Sequence, residues 1–258
     1  PVAAGGLGFS YKWNLGWTRD TLAYFTADFA DRPNRWESLA GTLAYAHGEK
    51  YVLPLSHDEV VHGKHSLLQK MPGDREQRFA NLRVLLALMF TQPGKKLLFM
   101  GDEFGDTREW EHDTELSWHL LDDDLHAGVQ QLVRDCNAFY RASPALHSRD
   151  AEPSGFTWID AGSGAHGLLA YARTAAEENA EHVVTAINAS PNERPDYRVG
   201  ALRAGSYREV INTDARRYGG SGGGARPTIA TQDVAAHGHP QSLLLTLPPL
   251  SALVLGSV

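Results

Sequence analysis

Apolar and polar positions follow two different rhythms along this chain. In the first half, short apolar runs alternate with stretches of helical period. Residues 8–14 (GFSYKWN) predict a short aromatic strand, and Thr18 then predicts the cap of a helix through Phe25. Residues 33–45 carry Trp36, Leu39 and Leu43 at helical spacing. Tyr51–Leu55 (YVLPL) predicts a buried strand, followed by a long polar loop that ends in Pro-Gly-Asp. Asp74 and Gln77 have the spacing of a capping box, opening a helix to about Gln92 that is apolar nearly all round. Pro93-Gly94 ends it. Residues 96–100 predict the next strand, and residues 126–141 an amphipathic helix with Val129, Leu132, Val133, Cys136 and Phe139 on one face.

Strand, helix, strand, helix at this spacing predicts parallel strands with crossover helices. Long polar loops after the strands suit the C-terminal portion of a (β/α)8 barrel, although only about three of the eight strand–helix units are visible. From about residue 150 the rhythm changes. GFTWIDA, GLLAYAR, HVVTAIN, DYRVG, SYREVIN and SLLLTLPPLSALVLG follow one another without helices between them. Such a series predicts an antiparallel β-sandwich. The expected division is 1–147 for the barrel portion and 148–258 for the β-sandwich domain.

Composition narrows the function. The 258 residues carry a formal net charge of −7, so no overall basic field draws in nucleic acid or an anionic membrane surface. A single cysteine, Cys136, excludes an internal disulfide and a multi-cysteine zinc site. Cytoplasmic localisation is expected from that cysteine usage alone. No apolar run reaches the length of a membrane span. The chain begins at Pro1 without Met and reads as the tail of something longer.

The candidate chemistry lies in the loops after the strands. SHDEVVHGK starts at Ser56. The zinc-protease pattern HExxH is not matched. His57 and His62 are five apart and would point about 140° from each other on a helix. No metal or organic cofactor is expected. Asp58 and His57 sit where a barrel places catalytic groups, and an Asp there also suits turn hydrogen bonds. GDEFG at 101–105 holds the same position after the next strand, where its acids also suit tying the barrel rim together. Trp13, Trp17, Trp110 and Trp118 lie in or near these loops, where aromatic faces stack on sugars or pack against the core. His62–Gly63–Lys64–His65 offers cationic donors or a solvated loop. GGSGGG at 219–224 lacks a P-loop lysine and is expected to be a flexible surface loop.

GGLGFSYKWNLGWTRDTL, VLPLSHDEVVHGKHSLLQKMPGD, KKLLFMGDEFGDTREWEHDTELSWHLL and SLLLTLPPLSALVL occur in that order. Together they resemble the C-terminal part of bacterial 1,4-α-glucan branching enzymes, a family of retaining transglycosidases in the α-amylase superfamily. The resemblance covers essentially the whole chain. It implies a barrel closed by a C-terminal β-sandwich, an α-glucan substrate and three catalytic carboxylates. Asp58 matches the carboxylate that stabilises the transition state, and His57 the histidine that hydrogen-bonds the same sugar. Trp13, Asn14, Glu103 and Trp110 are the substrate-binding candidates. Neither the nucleophile nor the acid/base motif is found, so the N-terminal part of the same enzyme is the implied partner. The rival readings are another superfamily enzyme, such as a maltooligosyltrehalose hydrolase, and a non-catalytic glucan-binding module.

Overall fold

The computed structural model describes residues 5–44, 46–177 and 181–258. Its first half contains a parallel sheet of β1 (Lys12–Trp13), β2 (Tyr51–Leu55) and β3 (Lys95–Leu98) in that order. α1 (Leu15–Phe25) and α2 (Trp36–Gly41) cross over between β1 and β2. α3 (Leu67–Lys70) and α4 (Arg75–Thr91) cross over between β2 and β3, and α5 (Asp124–Ala142) follows β3. No complete barrel forms among the described residues.

Local chemistry explains several element ends. The Asp74–Gln77 capping box is formed in both directions, at 2.9 and 3.0 Å. The cap of α1 is Asn14 and not Thr18: the Asn14 side-chain oxygen accepts from the Trp17 N–H at 3.0 Å. Thr18 is freed to donate to the Pro54 carbonyl of β2 at 2.7 Å, which ties the helix to the sheet. The expected strand over 8–14 shrinks to two residues. α2 is likewise shorter than expected, and Tyr45, its expected end, lies outside the described residues.

The second half is antiparallel throughout. β4 (Phe156–Asp160), β5 (Leu168–Thr174), β6 (His182–Asn188), β11 (Ser251–Ser257), β8 (Ser206–Asn212) and β9 (Thr228–Ala230) form one six-stranded sheet in that order. β7 (Arg194–Ala201) and β10 (Gln241–Leu247) form a separate two-stranded ribbon. Val199, Leu243, Leu245 and Leu247 of the ribbon pack against Ala170, Ala172, Val184, Ala186, Leu253 and Leu255 of the large sheet. The other face of that sheet, through Leu169, Tyr171, Val183, Ile187 and Val254, shares a core with Leu85, Leu88 and other residues of α4.

The large sheet is thus covered on both sides, which explains why HVVTAIN of β6 is buried at every position. α4 is covered in the same way, by the parallel sheet and by β5, β6 and β11, and so it is apolar nearly all round.

Buried arginines cross between the halves. Arg32 donates to the Ala189 carbonyl at 2.7 Å and to the Asn81 side-chain oxygen at 2.7 Å. Arg83 of α4 donates to the Thr213 carbonyl at 2.7 Å. Arg173 of β5 donates to the Thr91 carbonyl at 3.1 Å, to the Gly155 carbonyl at 2.9 Å and to Asp150 at 2.8 Å. Each guanidinium satisfies main-chain acceptors that the interface removes from water.

The glycine-rich loop differs from expectation. The Asp214 carboxylate accepts from the Ser221 N–H and hydroxyl and from the Gly223 N–H, at 2.6–3.0 Å. A Cβ on Gly220 would sit 2.2 Å from the Asp214 carbonyl oxygen, so the glycine permits close packing here. Gly128 of α5 plays the same part, since a Cβ there would lie 2.4 Å from the Tyr218 carbonyl carbon.

His182 is buried, with Nε2 2.7 Å from the Tyr207 hydroxyl and no partner for Nδ1. Burial, reinforced by Arg203, lowers its pKa to about 4. The unfolded chain holds this proton at about pH 6.5, so the unfolded state binds more protons between the two values. The expected result is a loss of stability as pH falls from about 6.5 towards 4, measured as Tm against pH. His182→Gln should flatten that limb, and an unchanged limb would exclude His182 as its source.

Candidate functional site

Parallel strands deliver their following loops to one edge of the sheet. Asn14 follows β1, His57–Glu59 follow β2, and Phe99–Phe104 follow β3. The Phe99 N–H donates to the Leu55 carbonyl at 2.9 Å, which closes the last rung between β2 and β3.

His57, Asp58 and Glu59 form a 3₁₀ turn directly after the β2 strand. The side chains of His57 and Asp58 are 49% and 59% exposed, with His57 Nε2 3.3 Å from Asp58 Oδ1. Both face solvent at the strand-end rim, so both are accessible to a ligand. Two lysines hold the main chain of the turn. Lys64 Nζ donates to the Asp58 carbonyl at 2.6 Å, and Lys70 Nζ donates to the Glu59 carbonyl. Burial lowers the pKa of Lys70, although Glu59 and Asp102 oppose it.

Aromatic rings line one side. The Phe99 ring lies 5.8 Å from His57 and 5.2 Å from Trp110, edge-on to the latter. The Trp110 N–H donates to the Val60 carbonyl at 2.9 Å, so the loop after β3 is tied to the loop after β2. His57, Phe99 and Trp110 thereby form one row. The sequence singles out His57 and Trp110 and misses Phe99, which reads as one of the apolar residues of the strand expected over 96–100.

The other candidates are more dispersed. Trp13 ends β1 and is 41% exposed. Asn14 is buried, and its side-chain oxygen is committed to the helix cap. Glu103 accepts from the Gly101 N–H at 2.7 Å. Its neighbour Asp102 is buried with one carboxylate oxygen unpartnered, and burial, with Glu103 beside it, pushes its pKa well above the usual carboxylate range. Trp17 is in the core, where Nε1 donates to Gln92 at 2.5 Å. Trp118 is 45% exposed with its ring 5.3 Å from Phe104. Among the described residues no cluster of three His, Cys, Asp or Glu side chains has metal-binding geometry. None of the described helices is long and apolar enough to cross a membrane.

Over 99% of its length the chain is 54% identical to the 1,4-alpha-glucan branching enzyme GlgB of Rhodospirillum rubrum. It is 52% identical to the enzyme of the same name from Bordetella pertussis over 99% of its length, and 51% identical to that of Cereibacter sphaeroides over 98%. Over nearly its whole length the chain is similar to part of these branching enzymes. It spans about a third of the length of these relatives, 34% in each case.

Residues 158–258 match the family described as alpha amylase, C-terminal all-beta domain. Among solved structures, the chain resembles an alpha-amylase from H. orenii (TM-score 0.57, 15% identity, 97% of this chain and 49% of that one). It also resembles a debranching enzyme from Nostoc punctiforme (TM-score 0.62, 17% identity, 96% and 48%). At these identities the likeness speaks to the fold alone. The contacts of His57, Phe99 and Trp110 and the exposed Asp58 are the features of this chain to be explained.

Proposed function

We propose that this chain is the C-terminal part of a glycogen branching enzyme, a retaining transglycosidase that cleaves an α-1,4 bond and rejoins the fragment as an α-1,6 branch. Residues 1–147 contribute strands and helices to a (β/α)8 catalytic barrel, and residues 148–258 form the β-sandwich domain that packs on it. The observation that carries this reading is the exposed His57–Asp58 pair at the strand-end rim, in a chain more than half identical to branching enzymes.

In this reading Asp58 stabilises the transition state. Retaining transfer passes through an oxocarbenium-like transition state. An ionised carboxylate against the sugar hydroxyls gains strength as positive charge develops at the ring, so it favours the transition state over the ground state. His57 donates a hydrogen bond to the same sugar. Trp13 and Trp110 offer faces for the glucan, and Asn14 and Glu103 are the further substrate-binding candidates. The nucleophile and the acid/base come from the part of the enzyme outside these 258 residues, and no metal or organic cofactor is required. The enzyme works in the cytoplasm.

Two further features support a larger barrel. β1 has an open outer edge among the described residues. Near β1 the large apolar side chains of Leu7, Phe9, Tyr11, Trp13 and Leu15 are all exposed, from 41% to 92%. A group of that kind fits a buried neighbour better than water.

The full-length enzyme incubated with amylose is expected to produce new α-1,6 linkages, read by debranching and chain-length analysis. Released trehalose, or plain hydrolysis, would assign the chain to another activity of the superfamily. Glucan binding without products would make it a binding module. The 258-residue chain alone should leave amylose unchanged.

A further inference from the structure

The loop after β2 folds back on itself at His62, Gly63, Lys64 and His65. His62, Gly63 and His65 have φ of 59°, 79° and 64°. The left-handed region suits glycine and is uncommon for histidine, so two of the three positions need outside support. Backbone of this kind turns successive N–H groups to one side and makes a concavity for an anion. Here the anion is a side chain of the neighbouring loop. Glu109 Oε2 accepts from the Gly63 N–H at 3.0 Å and Oε1 from the His65 N–H at 2.5 Å. These two bonds, His65 first, hold the Glu109 carboxyl below the usual carboxylate range.

Lys64 lies between the two gripped amides. Its Nζ reaches back to the Asp58 carbonyl at 2.6 Å. A path of direct contacts therefore runs from Glu109, through the clamped loop tip and Lys64, to the turn that carries Asp58. The bond from the Trp110 N–H to the Val60 carbonyl holds the same two loops together a few residues away.

We propose that Glu109 is a positioning residue for Asp58. Its carboxylate locks the left-handed tip, the lock fixes the backbone of Lys64, and Lys64 holds the turn in the orientation that presents Asp58 at the rim. The proposal rests on the role of Asp58 given above, and it adds a residue that need not touch substrate. It also explains an arrangement that has no role in the core, since residues 62–65 and the Glu109 carboxylate are exposed.

The test uses the full-length enzyme and two readouts. Amide hydrogen exchange should accelerate at least tenfold (an order-of-magnitude expectation for an opened local structure) at Gly63 and His65 in Glu109→Ala, with the amides of α4 unchanged. The same variant should lose roughly 10- to 100-fold in kcat, the scale of a small misplacement of a reacting group, with little change in KM. Glu109→Gln, which keeps one acceptor oxygen, should fall between Ala and wild type.

Unchanged exchange at Gly63 and His65 would overturn the clamp. Accelerated exchange with wild-type kcat would overturn the positioning role. If Glu109→Ala does not fold, Lys64→Met carries the test: it leaves the clamp in place, removes the contact to Asp58, and must lower kcat in the same way. Asp58→Asn, made in parallel, separates the two readings. Should that variant keep wild-type kcat, the role of Asp58 has failed, the positioning role falls with it, and exchange alone decides the clamp.

Discussion

Asp58→Asn is expected to lower kcat of the full-length enzyme by about 10²–10³-fold, the usual scale for losing one preorganised electrostatic group. Asn keeps the size and one acceptor oxygen but removes the negative charge. A sugar ring in its ground state carries no net charge, so binding should change little. The charge matters only as the oxocarbenium character develops, and the loss should therefore appear in kcat with KM nearly constant. Stability should not confuse the result. The Asp58 side chain is more than half exposed, and surface substitutions of this kind usually stay within about 0.5 kcal/mol. A loss smaller than tenfold would remove Asp58 from the transition state. His57→Ala is expected to fall short of Asp58→Asn, because a hydrogen-bond donor to a sugar hydroxyl does not supply the negative charge that the developing ring cation calls for.

How much of the fold and of the site is legible in the sequence depends on whether the signal is local. The capping box of α4, the strand Tyr51–Leu55, and the β6 and β8 segments HVVTAIN and SYREVIN depend on nearby residues or on burial along the whole run, and they were found at their observed bounds. The sequence misplaces the cap of α1 because Asn14 and Thr18 are both capping residues, and only the bond from the Trp17 N–H to Asn14 and the tie from Thr18 to Pro54 decide between them. α3 is not legible in the sequence, because its four residues, LLQK, are too few for a period. β9 is three residues held mainly by pairing to β8. The glycine-rich loop read as flexible because its order comes from Asp214, seven and nine residues away. At the site, position after a strand marked out His57 and Asp58. Phe99 and Glu109 could not be found in that way. One looks like strand and the other like an ordinary loop acid, and their contacts exist only across the gap between two loops.

Arg173→Ala is expected to destabilise the chain by about 3–5 kcal/mol, the scale for breaking a buried ion pair by removing one partner. For a chain of this size that corresponds to a fall of roughly 6–20 °C in Tm. The guanidinium is fully buried, and its Asp150 partner is only 13% exposed. Its removal also leaves the carbonyls of Thr91 and Gly155 without this donor, one at the end of α4 and one just before β4. Lys95 still reaches Asp150 at 3.0 Å, which keeps the carboxylate from being wholly uncompensated and places the cost below that of an isolated charge. The matching control is the Arg75–Asp123 pair, whose side chains are 52% and 42% exposed; Arg75→Ala should cost no more than about 1 kcal/mol.

Acid adds a second signature. Burial alone would raise the Asp150 pKa, but Lys96, Arg173 and Lys95 outweigh it and leave it lowered. A carboxyl lowered in the folded state contributes its full stability above the unfolded value of about 3.9 and loses it as pH falls through the folded value. Wild type should therefore lose the Asp150 contribution only below about pH 4, after the His182 limb. Without Arg173 the Asp150 pKa rises towards its unfolded value, so the part of the acid loss that Asp150 contributes below about pH 4 should shrink. A variant whose Tm falls while its acid limb stays in place would mean that Arg173 acts through the two carbonyls and not through Asp150.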